Sequence, residues 1–230
     1  MPRTARWRIE RSPSRSLPPS DSSRPLRITD CRFVAGASRS TDYPRGGLPE
    51  VAFLGRSNVG KSSLLNALVG RRLARVSGTP GRTQQAHFYI VNEGLLLVDL
   101  PGYGYARAPA RVRSELASII EAYLEAPRPL ALAVLIVDAR HDPTELDLGM
   151  NAWIRSRDLP VQVVSTKMDK LSRQQRRHSL NATQRLMQRD NIIPFSSETG
   201  EGKRELWQAI DSQIGLRSRT PASPTGGAPR

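Results

Sequence analysis

Short apolar runs alternate with segments of helical periodicity along most of the chain. The apolar runs predict six β-strands, at residues 51–54, 86–91, 95–98, 130–137, 161–165 and 192–195. Segments with apolar residues on one face predict five helices, at residues 62–69, 111–125, 142–157, 171–189 and 203–214. Strands that alternate with helices predict an α/β fold, in which helices cover both faces of a mostly parallel sheet.

One pair of strands departs from this alternation. The turn Asn92-Glu93-Gly94 joins the strand at 86–91 directly to the strand at 95–98, which is typical of a hairpin. We therefore expect the strand at 86–91 to be the antiparallel edge strand of a six-stranded, otherwise parallel sheet.

The composition adds a strong positive charge to this picture. The chain has 230 residues, with 35 Lys and Arg against 21 Asp and Glu, and a formal net charge of +14. This charge indicates a polyanionic partner, nucleic acid before an anionic membrane. Part of the charge lies in Arg-, Ser- and Pro-rich ends that have too few apolar residues to form a core. We expect a disordered basic extension at residues 1–25, for which an organelle transit peptide is the alternative, one folded domain at 26–216 and a disordered tail at 217–230.

Several classes of protein are excluded by residue counts. The single cysteine, Cys31, cannot form an intrachain disulfide and is typical of a reducing compartment. The three histidines lie far apart without ligand spacing, so we expect no metal cage built from them. The longest wholly apolar run, residues 130–137, is too short to span a bilayer. The sequence therefore predicts a soluble protein.

A glycine-rich segment between the first predicted strand and the first predicted helix carries the strongest chemical signal. It matches the pattern G-x-x-x-x-G-K-[ST] of a phosphate loop, in which backbone N–H groups and a helix N-terminus surround a phosphate chain. Lys61 is then expected to reach the β- and γ-phosphates, and the Ser62 hydroxyl to bind Mg²⁺. The segment is Gly55-Arg56-Ser57-Asn58-Val59-Gly60-Lys61-Ser62.

Three further polar segments each follow a predicted strand. In Asp99-Leu100-Pro101-Gly102, Asp99 can reach Mg²⁺ through water and the Gly102 N–H can face a γ-phosphate. In Thr166-Lys167-Met168-Asp169, the carboxylate can accept both N1–H and N2–H of guanine, with the Lys167 stem over the ring. In Phe195-Ser196-Ser197-Glu198, backbone N–H groups can bond guanine O6. Each segment alone would also suit an ordinary solvated turn, and their order along the chain is what makes them specific.

This constellation resembles the Ras-like GTPases of translation-factor type. Residues 50–66, 73–84 and 99–106 are similar, more narrowly, to the opening strand and phosphate loop, switch I and switch II of the EngB (YihA/YsxC) family of ribosome-biogenesis GTP-binding proteins, within the TrmE–Era–EngA–EngB–Septin-like superfamily. The resemblance covers about residues 26–215 and implies a Ras-like phosphate-loop GTPase fold. It also implies an enzyme that binds GTP, hydrolyses it slowly and acts in assembly of the large (50S) ribosomal subunit. Such a protein is expected to be a monomer in the bacterial cytoplasm and to be needed for normal cell division and septation.

The resemblance also assigns roles to residues. Of the threonines Thr79 and Thr83 it selects Thr83 as the switch I ligand of Mg²⁺, together with Ser62 and, through water, Asp99. Catalysis then depends on Lys61 and Thr83. The switch I residues expected to border the nucleotide are Gly81, Arg82, Thr83, Gln84 and Gln85.

Two residues bear on the rate of hydrolysis. Tyr103 follows Gly102 at the position where Ras-type enzymes use a Gln to orient water, so slow intrinsic hydrolysis is expected. Asn58 is similar to the Asn that potassium-stimulated relatives use to hold K⁺ beside the phosphates. A purely structural role in completing the loop is the equal alternative for Asn58.

The basic residues outside the phosphate loop leave two interpretations open. The helix predicted at 171–189 is either an RNA phosphate footprint or a solvated face, and the switch arginines Arg82 and Arg107 contact phosphate or RNA, or are exposed to solvent. A nucleotide-sensing RNA-binding module with incidental hydrolysis is the rival function. A small-molecule kinase would have no reason to carry Thr-Lys-x-Asp. The cationic residues of the helix are Arg173, Arg176, Arg177, His178, Arg185 and Arg189.

Overall fold

The structure is a computed structural model that describes residues 28–73, 85–104 and 109–219, with side chains described as far as residue 215. The basic extension predicted at 1–25 lies outside the described residues. So do residues 220–230 of the predicted tail and residues 74–84 and 105–108 of the two switches.

The described residues form one sheet flanked by helices. The strands are β1 (Cys31–Ala37), β2 (Glu50–Gly55), β3 (Ala86–Val91), β4 (Leu95–Asp99), β5 (Leu130–Asp138), β6 (Val161–Thr166) and β7 (Ile192–Pro194). The α-helices are α1 (Lys61–Val69), α2 (Ala110–Glu125), α3 (Glu145–Arg155), α4 (Arg173–Met187) and α5 (Lys203–Arg219). The strand order is β1-β3-β4-β2-β5-β6-β7.

The predicted hairpin is confirmed, but the predicted edge of the sheet is wrong. β3 pairs antiparallel with β4, as the turn at residues 92–94 requires. The edge strand is instead β1, which pairs antiparallel with β3, so the sheet has seven described strands rather than six. β3 is therefore the strand that runs against the other six.

A β-bulge explains why the sequence pattern does not reveal β1. The register with β3 shifts between Phe33 and Ala35, so two adjacent residues, Val34 and Ala35, are both buried. A bulge of this kind inserts an extra residue and breaks the alternation of buried and exposed positions by which a strand is recognised.

The helices divide between the two faces of the sheet. α1 and α5 pack on one face through leucines and Trp207, and α2, α3 and α4 pack on the other through residues such as Ile120 and Met187. Both faces of the central strands β2 and β5 are thereby covered, as expected for parallel strands with continuous apolar sequences. The carboxyl ends of β2, β4, β5, β6 and β7 meet at one edge, which is where α/β sheets bind ligands.

Local capping sets the start of two helices. The helix predicted from residue 142 begins at Glu145, because Thr144 and Asp147 form a reciprocal capping box. The helix predicted from residue 171 begins at Arg173, because Ser172 and Gln175 do the same. In the described part of the chain no helix has the length and apolar character needed to cross a membrane.

Candidate nucleotide-binding site

The phosphate loop joins the end of β2 to the start of α1. Its last glycine, Gly60, has a left-handed backbone with φ of 100° and provides no side-chain cap to α1. At Gly55 a Cβ atom would lie 2.9 Å from the Ile136 carbonyl oxygen, so a larger residue would not fit. The first N–H groups of a helix lack partners within it, and an uncapped helix start after a tight loop suits a bound phosphate.

A buried ion pair lies at the start of α1. The Lys61 ammonium donates to the carboxylate of Asp99, the last residue of β4, and the two residues are 8% and 1% exposed. Burying either charge alone would be costly, so the pair holds both in place. The described residues contain no group of three or more His, Cys, Asp or Glu that could hold a metal ion. The carboxylate of Asp99 and the hydroxyl of Ser62 are nevertheless hard oxygen donors of the kind that Mg²⁺ prefers.

The segment after β4 lies directly against the phosphate loop. The Ser57 N–H donates to the Tyr103 carbonyl over 2.9 Å, and the Tyr103 N–H donates to the Gly55 carbonyl over 3.3 Å. Gly102 is held so close that a Cβ there would lie 3.2 Å from Ser57 N. Ser57 Oγ is buried and has no hydrogen-bond partner among the described residues, which fits a hydroxyl that faces a polar ligand.

Thr166 and Lys167 brace the phosphate loop from the other side. Thr166 Oγ1 lies 2.6 Å from the Val59 carbonyl oxygen, and Lys167 Nζ donates to the Asn58 carbonyl over 2.6 Å. Asn58 itself has a left-handed backbone with φ of 64°. In this structure both side chains therefore contact the phosphate loop, and their predicted contact with a guanine base stays a prediction.

Asp138, at the end of β5, belongs to this brace and was missed in the sequence. Its Oδ2 accepts from Lys167 Nζ over 2.8 Å, and its carboxylate also accepts from the guanidinium of Arg140. Although burial alone would raise the pKa of Asp138, hydrogen bonds from Arg140 and Lys167 lower it to about 2. The available signal was an Asp directly after an apolar strand, the same signal that identified Asp99.

Asp169 and Ser196 form the part of the site where a guanine base is expected. Ser196 is fully buried, and its hydroxyl donates to Asp169 Oδ1 over 2.7 Å. This hydrogen bond is the main reason why the pKa of Asp169 is lowered. Ser196 Oγ also lies 3.2 Å from the N–H groups of Glu198 and Thr199, so one hydroxyl organises the loop and the carboxylate together.

Some of the remaining predicted site residues are described by the structure, and the others lie outside the described residues. The side chains of Leu100, Met168 and Phe195 are fully buried, so only their backbones are available to a ligand. Pro101 is also buried, Arg56 and Ser197 are partly exposed, and Gln85 is exposed. The other predicted switch residues lie outside the described residues; they are Thr79, Gly81, Arg82, Thr83, Gln84 and Arg107.

Comparison with known proteins decides the family. A family model described as a 50S ribosome-binding GTPase matches residues 50–167, which include the phosphate loop, Asp99 and Lys167. The chain is 45% identical over 198 residues to the probable GTP-binding protein EngB of Pelotomaculum thermopropionicum, a match that covers 84% of this chain and 100% of that protein. The chain belongs to the EngB family of GTP-binding proteins.

Other relatives agree with this assignment. The EngB protein of Geobacter sulfurreducens is 46% identical over 190 residues, which cover 81% of this chain and 92% of that protein. A crystal structure of a probable GTP-binding protein EngB superposes with a TM-score of 0.63 and 25% identity, over 74% of this chain and 100% of that one. The Ras-like GTPase fold is thus confirmed, and the chain is a GTP-hydrolysing enzyme.

The loop that holds Ser196 provides a test of the guanine site. At Gly202, with φ of 81°, a Cβ would clash with the Pro194 carbonyl oxygen, whereas at Gly200, with φ of 80°, it would meet nothing within 4 Å. Both alanine variants incur the backbone cost of a left-handed conformation, about 1–2 kcal/mol. We expect Gly202→Ala alone to displace the loop, and therefore to weaken GTP binding about tenfold or more in a fluorescence titration.

The matched variant makes this prediction specific. Gly200→Ala should lose a similar amount of free energy of unfolding from the backbone but keep its GTP affinity within about twofold. Equal GTP affinity of the two variants would show that the position of the loop does not matter to guanine binding.

Proposed function

We propose that this GTPase is a slow molecular switch in the assembly of the large ribosomal subunit, in the bacterial cytoplasm and as a monomer. The observation that carries the proposal is the match of residues 50–167 to a 50S ribosome-binding GTPase, because this range contains the phosphate loop and the segments that brace it. The proposal includes a need for the protein in normal cell division and septation, which a shortage of ribosomes would suffice to explain.

Recognition of guanine is proposed for Asp169. Its carboxylate would accept both N1–H and N2–H of the base, a pair of donors that adenine does not offer. The hydrogen bond from Ser196 and the lowered pKa support this role, since they keep the carboxylate oriented and ionised. Lys167 would lie along the base while its ammonium holds the phosphate loop.

Phosphate and Mg²⁺ binding are proposed for Lys61, Ser62, Asp99 and Thr83. Bound Mg²⁺ would neutralise developing charge on the phosphates. Lys61 would exchange its ion pair with Asp99 for the β- and γ-phosphates, which frees the Asp99 carboxylate to face the metal's water shell. Asn58 remains a candidate for K⁺, with completion of the loop as its alternative role.

Slow hydrolysis is supported by the position of Tyr103. Its hydroxyl donates to Asp147 on α3 over 3.0 Å, and the residue is 9% exposed. A side chain engaged in this way does not orient water as the Gln of Ras-type enzymes does. Faster turnover would then require a partner, a cation or a rearrangement of switch II.

An RNA-binding surface is proposed on α4. Arg173, Arg177 and Arg185 are exposed and form no ion pair with any described residue. Arg176 and Arg189 differ, because Arg176 pairs with Glu201 and Arg189 contacts Asn151. The predicted footprint therefore narrows to the three exposed arginines and the neighbouring His178.

Charge removal on this surface gives a quantitative expectation. The variant Arg173→Gln/Arg177→Gln removes two cations from one helix face and should lower affinity for ribosomal particles. The slope of the logarithm of its binding constant against the logarithm of the salt concentration should be shallower by about two, one for each phosphate that the variant no longer neutralises. The control Arg111→Gln/Arg204→Gln removes the same charge from two exposed arginines that each pair with a glutamate on their own helix. An equal loss of affinity in both variants would mean that net charge, and not α4, determines binding.

Cosedimentation tests the proposed function itself. With a non-hydrolysable GTP analogue, the protein should sediment with precursors of the large ribosomal subunit and not with small-subunit particles. Sedimentation with both particles at equal affinity would contradict an assembly role for the large subunit. If a hydrolysis-blocked variant leaves the particles as readily as the wild type, the rival function, an RNA-binding module with incidental hydrolysis, is favoured.

A further inference from the structure

Tyr103 connects the phosphate loop to helix α3. Its backbone forms an isolated parallel bridge with Arg56, in which Ser57 donates to the Tyr103 carbonyl. Its side chain points the other way and is buried in the core, with the hydroxyl 3.0 Å from Asp147 Oδ1. One residue therefore links the phosphate loop to helix α3.

Asp147 is itself held in a fixed orientation. It lies in the first turn of α3 and is 3% exposed, and its Oδ2 accepts from the Thr144 N–H over 3.0 Å and from the Thr144 hydroxyl over 2.7 Å. The guanidinium of Arg56, in the phosphate loop, lies 4.0 Å from the same oxygen. With Oδ2 occupied in this way, Oδ1 is left to accept from Tyr103.

The hydroxyl of Tyr103 is a permanent donor in this arrangement. Burial, and then the nearby negative charge of Asp147, raise the pKa of Tyr103 well above its ordinary value. A hydrogen bond from a neutral donor to a buried carboxylate is stronger than one between neutral groups. The bond therefore fixes the segment after β4 at one end, while the bridge to Arg56 fixes it at the other.

Gly102 is the residue that this arrangement positions. It directly precedes Tyr103 and is packed against Ser57, so a shift of Tyr103 moves it relative to the phosphate loop. We infer that Asp147, acting through Tyr103, is a positioning residue that sets the preference of the protein for GTP over GDP. The inference depends on the proposed placement of a γ-phosphate against Gly102; GDP has no γ-phosphate and does not use that contact.

The test is the ratio of affinities for a non-hydrolysable GTP analogue and for GDP, measured by calorimetry on the full chain. Tyr103→Phe keeps the ring in the core and removes only the hydrogen bond to Asp147. It should weaken binding of the analogue about tenfold and leave GDP affinity within twofold. Unchanged analogue affinity, or an equal loss of affinity for both nucleotides, would overturn the inference.

A second buried tyrosine supplies the matched control. The Tyr123 hydroxyl donates to the Glu50 carboxylate over 2.7 Å, on the same face of the sheet but at the opposite end of β2 from the phosphate loop. Tyr123→Phe should lower the thermal midpoint by a similar amount and leave the nucleotide ratio unchanged. If it shifts the ratio as Tyr103→Phe does, the effect is general destabilisation and the inference fails.

A double-mutant cycle tests whether Asp147 acts through Tyr103. Introduced alone, Asp147→Asn should lower the ratio of analogue affinity to GDP affinity. Introduced together with Tyr103→Phe, it should have no further effect on that ratio. Additive decreases would show that Asp147 works independently and would overturn its assignment. If Asp147→Asn does not fold, the comparison of the two tyrosine variants decides alone. A wild type without any preference for the analogue would instead contradict the placement of the γ-phosphate.

Discussion

We expect the variant Asp169→Asn to change the base preference of the protein from guanine to xanthine. The Ser196 hydroxyl donates to Asp169 Oδ1 over 2.7 Å, so an asparagine would keep its carbonyl oxygen at that position. Its amide nitrogen would then replace Oδ2, the oxygen that lies 3.0 Å from the ammonium of the exposed Lys170 side chain. This nitrogen is a donor, which repels the N2–H of guanine but suits the 2-carbonyl of xanthine. We expect GTP affinity to fall by about 3 kcal/mol, roughly 100-fold, and XTP to become the preferred ligand.

Competition binding with GTP, XTP and ATP measures this change. Asp158→Asn is the control, because Asp158 is exposed and has a left-handed backbone with φ of 52° that asparagine also accepts. That control should bind GTP as the wild type does. An unchanged preference for GTP over XTP in Asp169→Asn would remove Asp169 from the base pocket.

Loss of Lys61 is expected to have two separable effects. Lys61→Ala removes the proposed phosphate ligand and leaves the Asp99 carboxylate, which is 1% exposed, without its ion-pair partner. Removing one partner of a buried pair costs about 3–5 kcal/mol, so the thermal midpoint of the nucleotide-free protein should fall by several degrees. Affinity for GTP should fall at least 100-fold.

A charge-neutral double variant separates the two effects. Lys61→Met/Asp99→Asn replaces both partners with neutral groups of similar size, which is often close to neutral for stability. It should recover most of the thermal midpoint while GTP affinity stays low in a calorimetric titration. Recovery of GTP binding along with stability would show that Lys61 acts through the fold and not on the phosphates.

The sequence revealed the helices and six of the seven strands in the described part of the chain because their patterns are local. Apolar periodicity specifies which face of an element is buried, whereas the exact starts of α3 and α4 depend on capping boxes and were predicted three and two residues too early. β1 was missed because its bulge at Val34 interrupts that periodicity. Because β1 lies outside β3 in the sheet, β3 is an interior strand and not the edge strand that the sequence predicted.

The parts of the candidate site that could be predicted are the motifs whose residues are consecutive in the sequence. The phosphate loop and the polar segments at Asp99 and Asp169 could be found because each directly follows an apolar strand. The contacts that join them could not, because they connect residues far apart in the chain, such as Lys167 with Asn58 and Tyr103 with Asp147. Ser196 shows the difference: backbone N–H groups were expected to act there, whereas its side chain organises Asp169.

The most direct test of the proposed switch is the affinity of the wild-type protein for large-subunit precursors in two nucleotide states. With a non-hydrolysable GTP analogue we expect affinity at least tenfold higher than with GDP, and the particles should raise affinity for the analogue by the same factor, because coupling is reciprocal. Thr83→Ala should abolish this difference and leave GDP affinity nearly unchanged. Equal affinity of the wild type for the particles in both nucleotide states would contradict the proposed switch.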